Sequence, residues 1–150
     1  MGRKVLTYPS LGDSPIIFVQ FIHPQTRQNR IFQMVVDTGA SSTCLPAHLA
    51  VFIGHDNRNP RVAKTEVQGV GGTSMAFVHT MRLALIDPDT AERDKLRIFW
   101  TSPVQQVLFV EKMATQTGLL GRDLLAQWKQ VGFCPTRQNS HSAWNISISL

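Results

Sequence analysis

An apolar run, Ile31-Phe32-Gln33-Met34-Val35-Val36, ends in one carboxylate on a glycine-containing turn, Asp37-Thr38-Gly39-Ala40. The run has the composition of a strand, and the turn stops it abruptly. Gly39 can take backbone angles that a Cβ would resist, so the strand can present Asp37 outward at its end. A lone Asp-Thr-Gly occurs often by chance. Here a second apolar-apolar-Gly element, Leu119-Leu120-Gly121-Arg122-Asp123, answers it far downstream.

The 150 residues suit a single domain, 1–150, with a core of its own. Net charge is 15 − 10 = +5, but the basic residues are scattered without a Lys/Arg cluster. That charge reads as solubility, so no nucleic-acid partner is expected. Met1 to Ser14 lacks the apolar core of a signal peptide, and no run reaches membrane-spanning length. Met1-Gly2 is not followed by the Ser or Thr that myristoylation wants at position 6, where Leu6 stands. Without an export signal, Cys44 and Cys134 are expected as reduced thiols and the Asn145-Ile146-Ser147 sequon as unglycosylated. The expectation is a cytoplasmic domain with no membrane partner.

Taken in order, Arg3 to Tyr8 reads as a short terminal strand closed by Pro9 and the Gly12-Asp13-Ser14-Pro15 cluster. Ile16 to Ile22 and Ile31 to Val36 form a hairpin across the polar stretch Pro24 to Asn29. Ser41 to Pro46 is extended, Ala47 to Phe52 a short helical turn, and Gly54 to Pro60 a loop. Val62 to Val67 and Met75 to Leu85 flank the glycine-rich tip Gly69-Val70-Gly71-Gly72, a long hairpin. Asp87-Pro88-Asp89 is a turn and Thr90 to Lys95 a solvated loop, followed by strands at Leu96 to Thr101 and Val104 to Val110. Leu124, Leu125 and Trp128 at helical spacing predict a helix over Arg122 to Gln130. Pro135 to Ser142 reads as polar linker and Trp144 to Leu150 as a final strand.

Bland readings stand beside each motif. The glycine tip could cradle phosphate, but Gly71-Gly72 is followed by Thr73 without the lysine of a P-loop. Cys44 with His48 could make a thiol nucleophile, yet a small buried residue is the more ordinary use of such a cysteine. His23, His48, His55, His79 and His141 show no metal spacing, and two cysteines cannot build a zinc knot. No metal and no cofactor are expected.

Asp37-Thr38-Gly39-Ala40 matches the catalytic loop of the aspartic proteases, residue by residue. Gly69-Val70-Gly71-Gly72 resembles the glycine flap of the half-size retropepsin family, and Leu119-Leu120-Gly121-Arg122 its segment beneath the catalytic loop. The resemblance covers roughly residues 16 to 130 and keeps the family's order. It implies an all-β closed barrel with a flap hairpin and one short C-terminal helix. It further implies an aspartic endopeptidase with Asp37, Thr38 and Gly39 as its catalytic loop. Substrate would lie against Ala40, Ser41, Gly69, Val70, Gly71, Gly72, Leu119 and Leu120, with the loop from Lys112 to Gly118 as a further wall.

The mechanism needs two carboxylates, one ionised and one protonated, holding a water between them. One chain carries a single Asp-Thr-Gly, and Asp123 is a poor second candidate just inside a helix. The resemblance therefore implies a homodimer in which two Asp37 residues face a peptide or protein substrate, with Thr38 bonding its mate and the terminal segments 3–8 and 144–150 as candidates for an intermolecular sheet. Two departures stand out. Ser41 replaces the Asp that viral enzymes carry after the Ala, so Arg122 must find another partner, and the connection from Arg82 to Arg97 is enlarged. Both fit a cellular or prokaryotic relative better than a virus. They also leave open a dimerisation or peptide-binding module with little catalysis. Ala40 offers no hydroxyl donor to the carboxylate, which places the acidic limb of activity higher than in enzymes with Ser there.

Overall fold

The hairpin expected from the first two apolar runs is the frame of the molecule. A computed structural model describes residues 5–9, 14–69, 71–87, 96–138 and 141–150. Strand β1 spans Val5–Pro9, and β2 (Ile16–Ile22) pairs antiparallel with β3 (Asn29–Val36) from Ile16 opposite Val35 to Ile22 opposite Asn29. Alternation puts Ile17, Val19 and Phe21 of β2 inside with Met34 and Val36 of β3, while Phe18 stays exposed. Strand β4 (Cys44–Pro46) leads into a 3₁₀ helix, Ala47–Ile53, which Gly54 ends at φ 84°. The remaining strands are β5 (Ala63–Gly69), β6 (Gly72–Ile86), β7 (Ile98–Thr101), β8 (Gln105–Val110), β9 (Gly118–Leu120), β10 (Gln130–Gln138) and β11 (His141–Ser149). The α-helix α1 covers Arg122–Leu125.

Six strands close on themselves in the order β2-β3-β9-β4-β8-β6, with β6 returning to β2. The all-β barrel, the projecting hairpin and the short α-helix near the C-terminus are as expected from sequence. Fully buried Val19, Phe21, Met34, Leu45, Leu83, Phe109, Leu120 and Leu124 fill the core. Each large side chain of this kind contributes about 1.5–3 kcal/mol through burial. Strand β6 does two jobs. Gly72 to Val78 pair with β5 as the hairpin, Ala76 to Met81 pair with β8, and the later residues join β2 and β7.

Three expectations change. The helix stops at Leu125, although Leu124, Leu125 and Trp128 are all buried as their spacing predicts. Of the stretch Pro135 to Ser142 expected as linker, the described residues are strand: the backbone of β10 pairs with β11 from Gln130 opposite Ser149 to Gln138 opposite His141. Asn139 and Ser140 lie outside the described residues. Pro135 lacks an N–H, and β10 tolerates it as an edge strand of the sheet β1-β11-β10. That sheet also shows the termini pairing within one chain. Strand β11 has β1 on one side and β10 on the other, so a partner can add only at their outer edges. Leu6, Tyr8, Ile146 and Ile148 are buried, and the Tyr8 hydroxyl donates to the Ile86 carbonyl at 2.8 Å, fastening the sheet to β6. Burial, with the charge of Asp87 adding to it, pushes that hydroxyl far above the usual tyrosine range.

The enlarged connection is narrower than Arg82 to Arg97. Strand β6 runs to Ile86, and the Asp87 amide donates to the Arg97 carbonyl at 2.7 Å, closing its base. The turn at Pro88-Asp89 and the loop Thr90 to Lys95 lie outside the described residues, as do Arg3, Gly12 and Asp13.

Candidate active site

Strand β3 pairs in parallel with β9, and the pairing continues into the turn as the Asp37 amide donates to the Leu120 carbonyl at 3.0 Å. The Ala40 amide donates back to the Asp37 carbonyl at 3.3 Å. The Gly39 amide donates to Asp37 Oδ1 at 2.9 Å, which fixes the carboxylate over the turn. Gly39 does not hold a positive φ, contrary to the reason expected for it. A Cβ there would sit 3.1 Å from Asp37 Oδ1. A side chain there would crowd the carboxylate that folds back over the turn.

The second element lies directly beneath. The Arg122 amide donates to the Ala40 carbonyl at 2.8 Å and the Asp123 amide to the Ser41 carbonyl at 3.3 Å. Arg122 Nη1 donates to the carbonyls of Thr38 at 3.1 Å and Gly39 at 3.3 Å. The guanidinium, with no acid at position 41, grips the backbone of the turn itself. Both Asp123 oxygens accept the Thr43 amide at 3.0 Å, and Oδ1 also accepts the Thr43 hydroxyl and the Leu124 amide, each at 2.8 Å. The Thr43 hydroxyl in turn accepts the Gly121 amide at 3.1 Å. A Cβ on Gly121 would overlap the backbone of Ser42. Asp123 is thus spent on structure.

Around this knot, Thr38, Gly39 and Ser41 are exposed, and Asp37, Ala40 and Leu119 half-buried. Leu120 is a correction: its side chain is fully buried in the core, so it supports the turn and forms no substrate wall. Gly69 and Gly72 face each other across the hairpin tip, with φ of 109° at Gly71 and 114° at Gly72. Val70, between them in sequence, lies outside the described residues. The hairpin is tied to the segment after β8, since the Glu111 amide donates to the Met75 carbonyl at 2.9 Å and the Lys112 amide to Ser74 Oγ at 3.0 Å. Ser74 had no signal in the sequence. Nor did the open groove of about 340 Å³ lined by Ser42, Gln105, Gln106, Leu108, Asp123 and Gln127, which lies beside the knot and does not include Asp37. Cys44 sits on β4, where burial pushes its thiol up to about 11. A thiol held there is protonated at neutral pH and is no nucleophile.

Residues 22–131 match the family model for the retroviral aspartyl proteases. The chain belongs to the retroviral aspartyl protease family. Among solved structures, the EIAV protease in complex with the inhibitor HBY-793 is similar with a TM-score of 0.52 and 18% identity. The similarity covers 79% of this chain and 90% of that one. At that identity the likeness establishes the fold, a retropepsin-like barrel. Comparison with curated proteins finds no match. Family and fold point to aspartic protease chemistry, and proteins of this type act as homodimers on peptides. No helix among the described residues of this family member is long and apolar enough to cross a membrane.

Proposed function

We propose that the protein is a homodimeric aspartic endopeptidase in which Asp37 of each of two copies forms half of one site. The observation that carries this reading is the knot beneath Asp37. Turn, helix start and Thr43 are cross-bonded so that one carboxylate is held in a fixed place, while Asp123 is consumed by Thr43. A two-fold axis past the turn supplies the second carboxylate.

Two carboxylates that close share one proton. The ionised member takes a proton from the water between them as its oxygen attacks the peptide carbonyl. The protonated member donates to the developing oxyanion. The pair titrates as a unit. Gly39 N–H holds one oxygen of each carboxylate, leaving the other for water. Thr38, exposed beside it, bonds its mate across the axis. Substrate lies between Leu119 and the hairpin tip at Gly69, Gly71 and Gly72, with the segment after Lys112 as a side wall. The terminal sheets meet as finished three-stranded units, without exchange of strands. The domain is one unit spanning 1–150 and works in the cytoplasm.

Digestion of an unfolded protein mixture, with cleaved bonds mapped by mass spectrometry, tests this. Asp37→Asn should lower turnover on the order of 10²–10⁴-fold while the dimer persists in sedimentation. Dilution should remove activity and leave folded monomers, because no strand is exchanged. Unchanged cleavage by Asp37→Asn, or an active monomer, would refute the reading.

A further inference from the structure

Three histidines that the catalytic reading does not use lie face to face at the base of the hairpin. His55 stacks on His23 with centroids 4.5 Å apart and on His79 with centroids 4.3 Å apart, at interplanar angles of 30° and 23°. They come from three places: the β2–β3 turn, the loop after the 3₁₀ helix, and β6 just past Val78, where pairing with β5 ends. Their faces meet, not their nitrogens, and among the described residues no group of three His, Cys, Asp or Glu side chains could hold a metal ion.

The hydrogen bonds fix the tautomer of His23 and the donor nitrogen of the other two rings. His23 Nδ1 accepts the amides of Gln25 and Thr26 at 3.2 and 3.1 Å, so its proton is on Nε2. Asn57 Nδ2 donates to the Ala47 carbonyl at 2.9 Å, which turns its Oδ1 toward His79 Nε2 at 2.7 Å and makes that nitrogen a donor. His55 Nε2 donates to the Thr80 carbonyl at 3.2 Å and lies 3.0 Å from Met81 Sδ. Past Asn57, the bonds of the loop at Asn59 and Val62 are internal to it. The stack and Asn57 therefore join the approach to β5 to the rest of the barrel.

We propose that the His23–His55–His79 stack is an acid-released clasp on the base of the hairpin, closed when His55 and His79 are neutral and opened by their protonation. Face-to-face imidazolium rings repel at this distance. Burial first, then the neighbouring rings His55 and His23, depress His79 to about 4, and Asp56 opposes them. Burial and His23 depress His55, against the Thr80 carbonyl bond. The other groups around the stack are Phe109 of β8, Met81 of β6 and, paired with Asp56 at 3.3 Å, Arg58. Folded values below the ordinary imidazole value near 6.5 fix the sign. The clasp is fully held above that value, and its contribution is lost as pH falls from about 6.5 toward 4.

Amide hydrogen exchange on the intact protein, corrected for intrinsic rates, tests the clasp without reference to catalysis. Protection of residues 55–69 should fall at least about tenfold between pH 7.5 and 5 while that of β3 holds. His79→Gln keeps a donor for Asn57 and removes one titrating ring of the stack, so the fall in protection there should be clearly smaller than in the parent. An equal fall in His79→Gln and the parent would overturn the proposal. Should that variant not fold, NMR titration of the parent decides: a depressed His79 midpoint supports the clasp, and an ordinary one overturns it.

Discussion

Glycines mark both the knot under Asp37 and the tip of the β5–β6 hairpin, for opposite reasons. In the knot, Gly121 is required because another chain segment occupies the space of a side chain: a Cβ would overlap Ser42. At the tip, a Cβ on Gly71 or Gly72 would meet nothing within 4 Å, and what demands glycine is the backbone, at φ of 109° and 114°. The knot is a place where long-range bonds over-determine the chain. The tip is held by its own turn. A catalytic carboxylate needs the first kind of support and a moving cover the second.

The difference predicts graded responses to substitution. Gly121→Ala pushes a methyl into backbone that cannot swing aside and should cost about 3 kcal/mol in denaturant unfolding. A cost under 1 kcal/mol would mean that the two loops can part, and the contrast would collapse. Asp123→Ala strips the partners of the Thr43 amide and hydroxyl, for about 2 kcal/mol. The loss should appear as raised exchange at Thr43 and Gly121, with the tip unaffected. Gly71→Ala should cost only about 1 kcal/mol, because the strain is local and the space open. An effect on unfolding as large as that of Gly121→Ala would show the tip to be packed in solution.

Legibility in the sequence followed the same division. The β2–β3 hairpin was readable because alternation of Ile17, Val19 and Phe21 encodes a buried face locally. The tip was readable because successive glycines permit what other residues resist. Asp37 was singled out by its turn. Gly39 holds no positive φ, and its closeness to a folded-back carboxylate leaves no trace in local pattern. The spacing overstates the helix because buried Trp128 continues it after α1 has ended. Strand β10 is not legible locally because its partner β11, not its own composition, makes it a strand.

The sequence by itself determined the class of strands, the hairpin with its tip, and the carboxylate at the end of β3. These rest on side-chain alternation and backbone freedom, which neighbours in the chain set. Tertiary structure alone decided that Arg122 holds the carbonyls of Thr38 and Gly39, that Leu120 is core, that the termini pair in one chain, and that three distant histidines share a stack. Each of those depends on which distant segments the barrel brings together, and closure of a long loop is indifferent to the local pattern of the residues it joins.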